Sequence, residues 1–183
     1  MFFTALSGAP GARRAVALAA SVVLLALLPT GCAEAPRAAV TPPDGPVSVE
    51  FVMPERFTDA RWRTTGRGAD SAVLDALREQ LASLAPGCLP DGRRLAIRIT
   101  DVDLAGDAPL GADSEPRMMR AITWPRVELD WRLSDTAGAL LDERSERLTD
   151  MDYLNNAEAR RDRGPLRYDR ALLTDWFRRR FCG

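Results

Sequence analysis

The sequence predicts an α+β fold: a two-layer sandwich, with a mostly antiparallel sheet of about four strands and two helices on one face, in the order β-α-β-β-β-α. Three observations predict it. Apolar and polar residues alternate over 47–53, 94–102 and 126–133, the period of strands with one buried face. Apolar residues recur every three or four positions over 69–84 and 168–181, the period of amphipathic helices. The chain is 183 residues long, which suits one domain.

Each element has its own justification. Val47, Val49, Phe51 and Met53 share one face of a first strand, and Pro54 stops it. Residues 56–68 form a polar connection that carries Phe57 and Trp62. Val73, Leu74, Leu77, Leu81 and Leu84 then lie on one side of a helix with Asp70 near its start, and Pro86-Gly87 ends it just before Cys88. In the next strand Leu95, Ile97 and Ile99 face inward. The parity then flips, so that Asp101 and Asp103 fall on the apolar side and Val102 and Leu104 opposite. Either a bulge resets the register or the sheet ends there. Residues 105–123 read as a loop, with Gly106, Pro109, Gly111 and Pro116. Val127, Leu129, Trp131 and Leu133 mark a half-buried antiparallel strand, and 134–138 a turn. Residues 139–148 are heavily charged, as expected of an edge strand. Residues 150–166 are polar and irregular, with room for a short helical piece. A final helix from Tyr168 to Phe181 carries Leu172, Leu173, Trp176, Phe177 and Phe181 on one face and ends in Arg178, Arg179 and Arg180, where the helix dipole favours cations.

The N-terminus reads as an address. Arg13 and Arg14 precede fourteen uncharged residues, Ala15 to Leu28, and no acid occurs before Glu34. That run is short for a membrane span and suits the hydrophobic region of a secretory signal. We assign residues 1–31 to a signal peptide, 32–46 to a Pro- and Ala-rich tether, and 47–183 to the folded domain. Pro29-Thr30-Gly31-Cys32 resembles the lipobox of bacterial lipoproteins, although Pro29 stands where that pattern prefers Leu. The rival cleavage site, Ala33-Glu34-Ala35, would release a soluble periplasmic protein. Cysteine arithmetic favours the lipobox. There are three Cys, an awkward number for an exported chain. Taking Cys32 as a lipid carrier leaves Cys88 and Cys182 for one disulfide. If both helices run the same way, their C-terminal ends bring these two to one rim.

Several stretches taken in order, VEFVMPERFTD (49–59), LAIRITDVDLAGD (95–107), RMMRAITWPRVELDW (117–131), TDMDY (149–153) and LLTDWFRRRF (172–181), resemble a proteobacterial envelope family of uncharacterised proteins, domain of unknown function three thousand and sixteen. The resemblance implies an exported protein with no assigned activity, and it supplies no catalytic residues. The order of elements is also similar to that of small α+β lipoproteins that assist envelope assembly or transport complexes. That likeness concerns architecture and does not determine function.

Composition excludes much chemistry. The chain has no His, and its 25 Lys+Arg residues are all Arg. This removes Ser-His-Asp and Cys-His pairs, Schiff-base and phosphate-binding lysines, and imidazole metal sites. Without the signal, 23 Arg face 26 acids, net −3, which gives no electrostatic reason to bind nucleic acid. No cofactor is implied.

What remains is a short set of candidates. Asp101, Asp103 and Asp107 could ligate a hard cation as part of a metal-dependent hydrolase. As an EF-hand loop the stretch fails at Ala105 and Ala112. The plainer expectation is that Asp101 and Asp103 cap the strand end and pair with Arg98, Arg117 or Arg120. Asp150 and Asp152 are a second acidic pair that tertiary structure could bring beside them. From Glu158 to Arg180, eight Arg face four acids. That segment is either a solvated, ion-paired face or a surface for an anionic partner. Trp124 beside the long loop is the aromatic most suited to ligand contact, whereas Trp131, Trp176 and Phe177 belong to the core and Met118 and Met119 fill it. The sequence thus leads to an envelope protein on the periplasmic side, lipid-anchored through Cys32. It is expected to bind an unidentified envelope protein or an anionic lipid component without catalysis, with Trp124, Arg117, Arg120 and Arg178–Arg180 as the candidate surface.

Overall fold

The structure, a computed structural model, describes residues 45–62, 68–108 and 117–183. The signal region, Cys32 and most of the tether lie outside the described residues. Four strands, β1 (Val47–Phe51), β2 (Arg94–Asp103), β3 (Arg126–Ser134) and β4 (Leu140–Thr149), form one sheet in the order β1-β2-β3-β4. β1 and β2 are parallel and the other pairings antiparallel. A parallel neighbour needs a crossover, which α1 (Ser71–Cys88) supplies. A short α2 (Ala157–Arg161) and α3 (Arg167–Phe181) follow β4, and 3-10 turns lie at Pro54–Arg56 and Tyr153–Asn155.

The expected helix and strand faces make the core. Val73, Leu77 and Leu81 of α1 and Leu172, Leu173, Trp176 and Phe177 of α3 are buried against Leu95, Ile97, Ile99, Val127, Leu129 and Trp131 of the sheet. Phe181 packs edge-on against Trp131, centroid to centroid 5.1 Å, and against Phe177 at 5.0 Å. β4 contributes only Leu148 to this core, in keeping with an edge position.

The structure resolves the parity conflict in β2 with a bulge. Ile99 pairs with Leu129 and Asp101 with Glu128, so Thr100 is the extra residue. Val102 and Leu104 are thereby buried, while Asp101 and Asp103 move to the solvated face. The burial of two apolar side chains offsets the ladder bonds the bulge gives up.

Three expectations are corrected. α1 runs through Pro86 to Cys88 rather than ending before it. Proline there removes only the donor that would bond Ala82, and the Leu89 N–H still reaches the Ala85 carbonyl at 2.9 Å. Met118 is 54 % exposed rather than a core filler, while Met119 packs beside a second, smaller cluster of Ala105, Tyr153, Ala159, Tyr168 and Ala171. Arg117 is not a surface residue: its side chain is only 3 % exposed.

Arg117 instead pins an irregular part of the chain. Its guanidinium donates to the carbonyls of Ala105 (2.9 Å), Arg61 (2.8 Å), Leu104 (3.2 Å) and Gly106 (2.5 Å), and to the Asp59 carboxylate at 2.6 Å. Residues 104–106 have left the ladder, and these bonds satisfy carbonyls that burial would otherwise orphan. Gly106 sits at φ +76°, with the Met118 carbonyl oxygen 2.8 Å from where a Cβ would be. Only glycine fits that approach.

From the opposite layer, Asp169 of α3 accepts the Ala105 N–H at 2.9 Å. Burial raises its pKa from 3.8 to about 6, against the lowering effects of that hydrogen bond and the Arg117 charge. The folded state therefore holds this proton over a range where the unfolded chain has released it. The stability it contributes is greatest below pH 3.8, falls as pH rises to about 6, and is constant above. Asp169→Asn keeps an acceptor for Ala105 and removes the titration. It is expected to be more stable than wild type at pH 7 by on the order of 3 kcal/mol, with the gap closing toward pH 4 in urea titrations. A gap that does not change with pH would refute the assignment.

Candidate functional site

The sequence-predicted acids do not converge. Asp101 accepts the backbone N–H and the hydroxyl of Thr58, each at 2.7 Å. Asp103 pairs with Arg126, and Asp107 with Arg120 at 3.4 Å. Arg98, Arg117 or Arg120 is the expected partner of Asp101 and Asp103, but Arg126 takes that place at Asp103 and Thr58 at Asp101, where the bulge turns the carboxylate toward the 57–59 segment. Among the described residues no group of three or more His, Cys, Asp or Glu is arranged to hold a metal. Trp124 is half-buried against the second cluster, as are Met119 and Leu154.

The structure instead makes a grouping that the sequence did not suggest. Two adjoining pockets form a groove between α3 and β4, with Arg179 beside Asp150 and Asp152 in one and beside Arg180 in the other. Leu172, Asp175, Trp176, Arg179 and Arg180 line it from α3, at the three- and four-residue spacing that makes one helix face. Glu146, Arg147, Leu148 and Thr149 line it from β4.

The groove has two ends of opposite charge, which share Thr149, Leu172 and Arg179. One end, of about 330 Å³, carries Asp150, Asp152 and Asp175 with Asn155 and Asn156. Asn156 organises it. Its amide donates to Asp150 at 3.1 Å and to Asp175 at 3.0 Å. Its carbonyl oxygen caps α2 by accepting the N–H groups of Glu158 (3.0 Å) and Ala159 (3.2 Å). The Asn155 amide donates to Asp152 at 2.5 Å. Asp150 and Asp175 are thus held by one amide, and among the described residues that line this end Arg179 is the one cation.

The other end, of about 240 Å³, carries the charges of Arg179 and Arg180 against one acid, Glu146, while Arg147 lines it from the strand and turns its side chain to the outer face of the sheet. Glu146 accepts Trp131 Nε1–H at 2.6 Å and Arg180 at 2.8 Å. Its partial burial raises its pKa, but the hydrogen bonds from Arg180 and Trp131 and the Arg180 charge prevail and hold it below 4.5. Its contribution to stability is present above pH 4.5 and is lost as pH falls through the lowered value, opposite in sign to that of Asp169. Arg178 turns away to Glu158 at 3.5 Å, and Arg147 bonds Glu128 at 2.7 Å. Arg179 is exposed and has no carboxylate within ion-pair distance among the described residues. It is the arginine available to a ligand where the two ends meet.

Sequence reasoning missed Glu146, Asp175 and the Asn155-Asn156 pair. Asp175 and Arg179 stand four apart beside the apolar stripe of α3, and Asn156 before Ala157-Glu158 is an N-cap signature. Both signals are present, but nothing local says that α3 passes beside β4.

The helix ends meet as expected. Cys88 and Cys182 form a disulfide, with their Cα atoms 4.2 Å apart and 94 positions separating them in sequence. Among the described residues no helix is long and apolar enough to cross a membrane.

A scan against protein families matches residues 45–179 to the family described as "Protein of unknown function (DUF3016)". No curated protein and no solved structure matches the chain. The family match runs from just before β1 to the Arg179 that divides the groove, so it takes in the whole sheet and nearly all of the three helices. On that extent, the chain belongs to the DUF3016 family.

Proposed function

We propose that the protein is an exported, lipid-anchored envelope protein that acts by binding, and that the groove between α3 and β4 receives a segment of an envelope protein. The observation that carries this reading is the groove's divided charge, with Asp150, Asp152 and Asp175 at one end and Arg179 and Arg180 at the other. A polypeptide bearing a base and an acid a few residues apart complements both ends. A purely anionic lipid headgroup complements only one and is repelled by the other. The absence of His and Lys from the sequence leaves no ordinary nucleophile–base pair beside the groove. The Cys88–Cys182 disulfide supports an oxidising compartment, and the Arg13–Leu28 stretch with Cys32 supports export and anchoring on the periplasmic side.

A photo-crosslinking residue at Arg179, used in intact cells, is expected to capture one protein. The same residue at Gly138, in the exposed β3–β4 turn, should not. Asp175→Arg should abolish the capture while leaving the protein folded. Capture of lipid only, or capture unchanged by Asp175→Arg, would overturn the reading. The anchoring half has its own check. Cys32→Ala is expected to move the protein from the membrane to the soluble fraction, whereas a mature N-terminus beginning after Ala35 would show ordinary signal cleavage instead.

A further inference from the structure

β4 is an edge strand ten residues long, paired on one side only by β3 among the described residues. An edge of that length offers a full row of backbone donors and acceptors to another strand. Proteins usually guard such edges with charge, and β4 is charged along its centre: Glu143-Arg144-Ser145-Glu146-Arg147. The order of those charges is unusual. Read backwards about Ser145, every acid falls on a base and every base on an acid. An antiparallel strand of the same sequence, centred on Ser145, therefore meets complementary charge at each position, so the charges that would repel other strands admit this one.

We infer that β4 pairs with β4 of a second copy of this chain, antiparallel about a two-fold axis at Ser145, so that the two sheets become one. Directly opposed residues in an antiparallel pair share a face. Glu143 then stands opposite Arg147 of the second copy, and Arg144 opposite Glu146 of the second copy, each contact occurring twice. On the outer face this continues pairs already present within the subunit. Arg132 bonds Glu143 at 3.0 Å and Arg147 bonds Glu128 at 2.7 Å. Across the seam the row becomes Arg132, Glu143, Arg147, Glu128, with alternating sign. The central row behaves the same way. Glu50, Arg98, Asp130 and Ser145 are linked at 3.1, 3.7 and 2.5 Å, and the two-fold axis sets its mirror row beyond Ser145.

Other registers fail. Sliding the second strand by one residue puts Glu143 on Glu146 or Arg144 on Arg147. Sliding it by two puts Arg144 on Arg144 or Glu146 on Glu146. Like charges directly opposite are destabilising. The register centred on Ser145 also sets Leu140 and Leu141 of each copy against Asp150 and Thr149 of the other, next to Met151. Leu140 (47 % exposed), Leu141 (44 %) and Met151 (68 %) are among the large apolar side chains most open to solvent, and all three would flank the seam.

The test uses the full chain carrying Ser145→Cys. Opposed residues of an antiparallel pair have Cα atoms about 4.5–5.5 Å apart, within disulfide range. Mild oxidation is expected to give a dimer at twice the mass on a non-reducing gel, while Asp135→Cys in the β3–β4 turn stays monomeric. Adding Arg147→Glu to Ser145→Cys sets an acid against an acid at both outer contacts of the seam, and adding Glu143→Arg instead sets a base against a base. Each should slow crosslinking by about tenfold. Mixing the two variants restores opposite charge at both contacts and should recover the rate of Ser145→Cys alone, which a misfolded variant could not do. Crosslinking of Ser145→Cys no faster than Asp135→Cys overturns the inference, as does crosslinking that either charge reversal leaves unchanged.

Discussion

Replacing Cys88 and Cys182 together by serine is expected to lower the stability of the domain by about 4 kcal/mol, the chain-entropy estimate for a loop this long. The two cysteines are 94 positions apart, so the bridge removes a large set of open conformations from the unfolded chain. Its place in the fold explains why it forms. α1 and α3 both run away from the end of the sheet where Leu104 and Ala105 meet Asp169, and their C-termini finish at the opposite rim. The folded chain therefore aligns the sulfurs without help from the bridge, and the double serine variant should fold to the same structure with a lower urea midpoint, by about 2 M for a domain of this size. Reductant should shift the wild type by the same amount, since Cys182 is exposed to it. A wild-type midpoint that ignores reductant would refute the prediction.

The second large effect is expected at Arg117. Arg117→Met keeps much of the side-chain volume and removes every donor. Four carbonyls and the Asp59 carboxylate lose a partner at once, and the expected loss is about 3–5 kcal/mol, the range for breaking a buried charged network. Arg117→Lys should recover only part of it, because one ammonium cannot reach carbonyls on both sides of the fork. Asp59→Asn should cost less, since Arg117 keeps its four carbonyl acceptors and the partly exposed amide oxygen can still accept its fifth hydrogen bond. Urea midpoints for the three variants at pH 7 give the ranking, and Asp59→Asn as damaging as Arg117→Met would contradict it. Because Arg117 and Asp169 both hold Ala105, their substitutions should not be additive. Asp169→Asn is expected to help less in an Arg117→Met background, where nothing fixes the carbonyl side of residue 105.

The two predictions differ in how far the sequence foretells them. Cys88 and Cys182 are legible because an odd cysteine count in an exported chain singles out a pair, and two amphipathic helices of like direction supply the place for it. Arg117 reads in sequence as a surface arginine and is not one. Its neighbours Met118 and Arg120 are indeed exposed, and one-dimensional context gives a buried arginine no signature. The carbonyls it serves lie on residues 61 and 104–106, brought to it by the bulge at Thr100 and the parallel pairing of β1 with β2. The acids of 101–107 mislead for a related reason. Alternation alone sets Asp101 and Asp103 on the apolar side, and only the inserted residue returns them to solvent.

Periodicity by itself determined the well-alternating strands, the two long helices and the core face of each, because burial of one face imposes a period of two or 3.6 on any sequence that folds this way, and charge marked β4 as the edge. The charge symmetry about Ser145 is likewise written in the sequence. Tertiary structure alone decided which charges meet: that Arg179 lies between Asp175 and the Glu146–Arg180 pair, that Arg117 is internal, and that Asp169 is buried beneath Ala105. Those contacts join residues tens of positions apart, and their energies come from distance and desolvation, neither of which a local pattern encodes.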